Sequence, residues 1–134
     1  MKLRIALAQV NPTVGDLAAN AALVRANVAT AQEAGAHVVV FPEMVLTGYP
    51  VEDLALRPSF QIASQGAIAE LAAHLTGEIV AIVGYLDQVD GAPQNMVAVI
   101  SGGVIKARYA KCHLPNYGVF DEFRNFVPGD KTLV

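Results

Sequence analysis

Apolar positions along the chain recur first at strand spacing, then at helix spacing, and the two patterns alternate. Leu3, Ile5 and Leu7 fall on one side of an extended segment that continues into Ala8 and Val10, predicting a partly buried strand over 3–10. Asn11-Pro12-Thr13-Val14-Gly15-Asp16 is turn chemistry, with Asp16 placed to cap a helix. In that helix Leu17, Ala21, Val24, Val28 and Ala31 recur at intervals of four and three, making one apolar face. Gly35 ends it, where a left-handed backbone costs least. His37-Val38-Val39-Val40-Phe41 is a β-branched run closed by Pro42 and reads as a buried strand. After the turn-rich Thr47-Gly48-Tyr49-Pro50, a second helix over 59–75 is expected to face Ile62, Ile68 and Leu71 inward. Strands follow over 79–86, 96–100 and 104–109, joined by Asp90-Gly91 and Ser101-Gly102-Gly103 as turns. The order β-α-β-α-β-β-β predicts an α/β fold, a mixed sheet with helices packed on it.

Composition narrows the function classes. The chain has 134 residues, a length that fits one domain. Apolar residues make up 54% and charged residues 16%, which excludes a disordered chain. That charge content is below the roughly 25% of an ordinary solvated domain. A partner, such as a second copy in a homo-oligomer, or a larger body is therefore expected to cover part of the surface. The net charge of −3, without a basic stripe, argues against nucleic acid as a partner. No apolar run approaches the ~20 residues that span a bilayer, so no membrane association is expected. Residues 1–10 do not form a signal peptide, and the default location is the cytoplasm. The strand-like run Asp130-Lys131-Thr132-Leu133-Val134 leads us to expect the front part of a longer domain.

Three segments carry candidate chemistry. Phe41-Pro42-Glu43 places a carboxylate just beyond a buried strand, at the end where α/β sheets bind ligands. Partly out of water there, Glu43 suits a general base, or else it caps a turn or joins a surface ion pair. Lys111 follows the last strand, where a cation can face a developing oxyanion or simply lie solvated at the rim. Residues alternate sides in extended chain, so Cys112 is expected to point away from Lys111 as a structural thiol. As the only cysteine it forms neither an internal disulfide nor a metal pair. Asn116-Tyr117-Gly118-Val119-Phe120-Asp121-Glu122-Phe123-Arg124 mixes aromatic, acidic and basic groups. Such a loop can grip a small polar substrate, or pack on the surface with Arg124 paired to Asp121 or Glu122. His37, His74 and His113 have no metal-ligand spacing, and Ser101-Gly102-Gly103 lacks the residues that complete an ATP-pyrophosphatase loop.

Ala8-Gln9, Phe41-Pro42-Glu43, Thr47-Gly48-Tyr49 and Lys111 together resemble the nitrilase, or carbon–nitrogen hydrolase, superfamily. More narrowly, residues 47–54 and 111–124 are similar to the glutaminase domains of glutamine-dependent NAD+ synthetases. The resemblance covers the whole chain and implies the first half of an α-β-β-α sandwich, with a partial glutaminase domain over 1–134. It implies a Glu-Lys-Cys triad, with Glu43 as base, Lys111 stabilising the tetrahedral intermediate, and Tyr117 and Phe120 binding L-glutamine. The family's nucleophile lies on a later element, beyond residue 134. Residues 1–134 alone are therefore expected to be inactive, and the rest of the domain and a C-terminal ligase domain are expected elsewhere in the full-length protein. The glutaminase part needs no cofactor, whereas the ligase domain uses ATP and Mg2+ to amidate nicotinic acid adenine dinucleotide. A stand-alone amidase or carbamoylase would share Glu43 and Lys111, and a non-catalytic half-domain would act as a binding module.

Overall fold

A computed structural model describes residues 2–132, and all that follows concerns those residues. The elements are β1 (Ile5–Leu7), α1 (Leu17–Glu33), β2 (Val38–Val40), a 3-10 turn (Glu52–Leu56), α2 (Pro58–His74), β3 (Val80–Val89), β4 (Ala92–Ser101), β5 (Val104–Ala110) and α3 (Glu122–Asn125). One five-stranded sheet runs in the order β1-β2-β3-β4-β5. β1, β2 and β3 are parallel, and β3, β4 and β5 are antiparallel. The mixed α/β sheet expected from the sequence is the observed fold.

Each parallel step needs a crossover, and α1 and α2 supply them, both on one face of the sheet. Asp16 caps α1 by accepting a hydrogen bond from the Ala19 N–H, 3.0 Å. The buried face of α1 contains Ala21, Val24, Val28 and Ala31. These pack with Ile68 and Leu71 of α2 over Val39, Ala81, Val83, Tyr85, Ala98 and Ile100 of the sheet. A fully buried aliphatic side chain contributes about 1.5–3 kcal/mol, so this shared layer dominates the stability. Asp90 and Gly91 both have positive φ, 53° and 81°, the geometry of a two-residue hairpin turn.

Several expectations are corrected. Leu3, Ile5 and Leu7 do share a side, but it is the side away from the helices, where they are 62%, 51% and 74% exposed. Ala6, Ala8 and Val10 face the core instead. Ile62 is 65% exposed, because six residues of helix turn it well away from Ile68. β3 and β4 run on to their turn through Asp87, Gln88, Gln94 and Asn95, since the tight turn keeps the ladder paired across polar residues. Asp130, Lys131 and Thr132 form no strand, and Leu133 and Val134 lie outside the described residues.

The helix-free face of the sheet carries Ile5, Leu7, Val38, Val40, Ile82, Val97 and Val99, the alternates of the core positions. A second apolar cluster, Met44, Val51, Ala55, Leu86, Leu114 and Phe126, lies beneath the loops after β2 and β5. It holds those loops in place. No helix among the described residues is long and apolar enough to cross a membrane.

Candidate functional site

The chain leaves β2 at Val40 and turns sharply at Pro42, where the Val45 N–H donates to the Pro42 carbonyl, 3.2 Å. Met44, fully buried, holds a left-handed backbone with φ of 51°, a conformation that non-glycine residues adopt mainly where surroundings enforce it. The enforcing neighbour is β3. Leu46 N–H donates to the Gly84 carbonyl at 3.1 Å, and Gly84 lies directly under the Met44 backbone, where a Cβ would collide with the Met44 nitrogen. A glycine inside a strand marks such a close approach. Gly84→Ala is therefore expected to destabilise the fold by about 1–3 kcal/mol and to displace Glu43. Chemical denaturation reads the first effect, and an unchanged midpoint would contradict the packing.

Beyond this turn Glu43 meets Lys111, which follows β5. Lys111 Nζ donates to Glu43 Oε1 at 2.7 Å and to Glu122 Oε2 and Oε1 at 2.9 and 3.1 Å. Tyr49 OH donates to Glu122 Oε1 at 2.8 Å. Asn95 Nδ2 donates to Glu43 Oε1 at 2.6 Å. Five residues from four separate segments thus form one chain of contacts, Tyr49–Glu122–Lys111–Glu43–Asn95. The Glu122 side chain is 4% exposed and that of Glu43 is 45% exposed, so Glu43 is more open to water than its strand-end position implies.

The electrostatics keep Lys111 a cation. Burial favours the neutral amine, but the hydrogen bonds and charges of Glu43 and Glu122 outweigh it and raise its pKa above the ordinary 10.5. Burial, with the Glu122 hydrogen bond, pushes the Tyr49 phenol up as well, so it stays a neutral donor. An ammonium has three N–H groups. One serves Glu43 and one is shared across Glu122, which leaves one for a substrate oxygen.

Glu43, Asn95 and Lys111 rim a cavity of ≈ 230 Å³ floored by Phe41, Met44, Gly84, Val97 and Tyr109. Tyr49, Phe120, Glu122 and Asn125 line a neighbouring cavity of ≈ 480 Å³. Tyr117 is 71% exposed, and its ring stacks edge-on with Phe120 at 5.8 Å. The structure thus joins Glu43 to Lys111 and Tyr117 to Phe120, without a hydrogen bond between the pairs. Cys112 is engaged elsewhere, accepting from Tyr109 OH at 3.3 Å and lying 3.5 Å from the Ala110 carbonyl.

Sequence reasoning missed Tyr49, Asn95 and Glu122 as site residues. The alternative of a packed surface loop, with Arg124 paired to Asp121 or Glu122, is not what forms: Arg124 reaches Asp53 at 2.9 Å and Glu122 is taken by Lys111. A usable signal existed for Glu122. An acidic residue beside Phe123 and Phe126 in an apolar-rich loop is a candidate for burial, and a buried carboxylate needs a cation.

The carbon–nitrogen hydrolase family profile matches residues 4–134. A glutamine-dependent NAD(+) synthetase from Thermotoga maritima is 41% identical over 134 residues, covering 99% of this chain and 23% of the relative. One from Xylella fastidiosa is 46% identical over 125 residues, with 92% and 23% covered. The chain spans about a quarter of the length of such relatives. Among solved structures, the glutamine-dependent NAD+ synthetase from Acinetobacter baumannii in complex with ADP superposes with a TM-score of 0.91 at 36% identity, over 98% of this chain and 25% of that one. An amidase from Nesterenkonia sp. shares the fold, with a TM-score of 0.77 at 24% identity, over 96% and 49% of the two chains. Because that match takes in nearly the whole of its 134 residues, the chain belongs to the carbon–nitrogen hydrolase family.

Proposed function

We propose that these residues are the N-terminal part of the glutaminase of a glutamine-dependent NAD+ synthetase. The carrying observation is the 2.7 Å pair of Glu43 and Lys111 at the rim of a small cavity, in a chain whose relatives bear that name. A base and a fixed cation side by side suit hydrolysis of an uncharged amide. The nucleophile is a cysteine C-terminal to residue 134, since Cys112 is turned into its own hydrogen bonds. Glu43 takes the thiol proton, and the thiolate attacks the side-chain carbonyl carbon of glutamine. The carbonyl π electrons move to oxygen, and the free N–H of Lys111 stabilises the charge.

The tetrahedral adduct then collapses. Glu43 returns its proton to the amide nitrogen, the C–N bond breaks, and ammonia leaves a thioester. Water, deprotonated by Glu43, adds to the thioester carbonyl, the C–S bond breaks to release glutamate, and Glu43 returns the proton to the departing thiolate. Glu122 acts as a positioning residue, holding Lys111 with the help of Tyr49. Tyr117 and Phe120 supply an aromatic wall for glutamine. The ammonia passes to a ligase domain of the same polypeptide, which amidates nicotinic acid adenine dinucleotide at the expense of ATP with Mg2+. None of residues 2–132 is assigned to that step.

The test feeds glutamine labelled with 15N in its side-chain amide to the full-length gene product, with nicotinic acid adenine dinucleotide and ATP. The expected result is labelled NAD+ with stoichiometric glutamate. Hydrolysis of other amides with no turnover of glutamine would replace this reading with a stand-alone amidase.

A further inference from the structure

We infer that Asn95 is a positioning residue that divides the two oxygens of Glu43 between anchoring and proton transfer. The inference rests on the glutaminase reading, with Glu43 as the base. Both hydrogen bonds to Glu43 arrive at one atom: Asn95 Nδ2 at 2.6 Å and Lys111 Nζ at 2.7 Å, each to Oε1. Oε2 has no hydrogen-bond partner among the described residues, and it is the oxygen left to take a proton.

The amide orientation follows from chemistry. An ionised carboxylate only accepts, so the Asn95 group facing it at this distance is the NH2. The residue is held firmly enough to aim. Asn95 is 5% exposed, sits opposite Leu86 in the β3–β4 ladder, and accepts the Lys111 backbone N–H on its own carbonyl at 2.9 Å. One β4 residue therefore touches both Glu43 and Lys111, through side chain and backbone respectively.

A neutral donor is needed there for a physical reason. As the oxyanion forms on the third N–H of Lys111, it competes with Glu43 for the charge of the ammonium, and the hold of Lys111 on Glu43 weakens. Asn95 then keeps the carboxylate oriented without adding a second cation that would make it a poorer base. An aspartate at this position would have the same shape and no donor, and it would set two carboxylates against each other.

Asn95→Ala and Asn95→Asp are made in the full-length gene product beside Glu43→Gln, with thermal melting to follow folding. Loss of a hydrogen bond to a charged group predicts a fall in glutaminase kcat of about 10- to 100-fold, with KM changed by less than about threefold. Asn95→Asp falls further than Asn95→Ala at neutral pH. Its acid limb moves to higher pH as the two carboxylates share a proton, with Lys111, Glu122, Tyr49 and Tyr109 the other ionisable groups around Glu43. A packing role would give the reverse order, because aspartate preserves the shape and alanine does not. In the Glu43→Gln background neither change should matter further. The isosteric aspartate carries the test should Asn95→Ala fail to fold. A kcat preserved in Asn95→Asp, or aspartate tolerated better than alanine, overturns the inference while the glutaminase reading stands. Undiminished activity in Glu43→Gln overturns both.

Discussion

Glu43→Gln in the full-length gene product is expected to lower glutamine hydrolysis by ~10²–10⁴ while ammonia-driven NAD+ formation stays near its original rate. Glutamine keeps the length and shape of the side chain, and its amide oxygen still accepts from Lys111 Nζ and Asn95 Nδ2, now 2.7 and 2.6 Å from Glu43 Oε1. What is lost is the negative charge paired with Lys111, and with it the capacity to take a proton. The comparison of the two nitrogen sources makes the result interpretable, because a folding defect would depress both. Glutaminase turnover within a factor of ten of the unmodified protein would remove Glu43 from the role of base.

Lys111→Ala is expected to reduce glutaminase kcat by about 10²–10³, the size found for loss of an oxyanion donor. It differs from the first substitution in also threatening the fold. The Glu122 side chain is 4% exposed, and without Lys111 only Tyr49 OH donates to its carboxylate among the described residues. Leaving a buried charge unpaired costs about 3–5 kcal/mol, so Lys111→Ala should melt earlier than Glu43→Gln. Lys111→Ala with Glu122→Gln separates the two effects. The double change should regain much of the melting temperature and none of the activity. Recovery of both would reduce Lys111 to a structural counter-ion, and a change confined to KM would make it a binding residue.

The sequence was most legible where one physical rule governed a segment. The face of α1 follows from Leu17, Ala21, Val24, Val28 and Ala31 alone, because a helix on a sheet needs a single stripe. The same logic misled at β1. Both sides of that strand are apolar, so alternation could not tell Leu3, Ile5 and Leu7 from the inward Ala6, Ala8 and Val10. Glu43 and Lys111 were visible as strand-end residues, and family motifs raised them further. Their partners were not, since Asn95 and Glu122 reach them from 52 and 11 residues away through a ladder register and a short helix. Nothing in the local composition of Gln94-Asn95-Met96 distinguishes a site residue from a strand amide. Gly84 carried a readable signal, a glycine inside an apolar strand between Val83 and Tyr85, but only the fold shows that Met44 is what it admits.

The turn at Asp90 and Gly91 has a further consequence for how the site could be taken apart. It is exposed, and a side chain added at Gly91 would meet nothing within 4 Å, so the chain can be opened there with little disturbance. A break at that point leaves Glu43, Tyr49 and Gly84 on one piece, and Asn95, Lys111 and Glu122 on the other. The nine residue pairs from Ala81↔Ile100 to Val89↔Ala92 then become the principal interface between two polypeptides. Every Glu43–Lys111 contact formed across it reports one reassembly event, which makes the β3–β4 hairpin a natural seam for a split, concentration-dependent form of this domain.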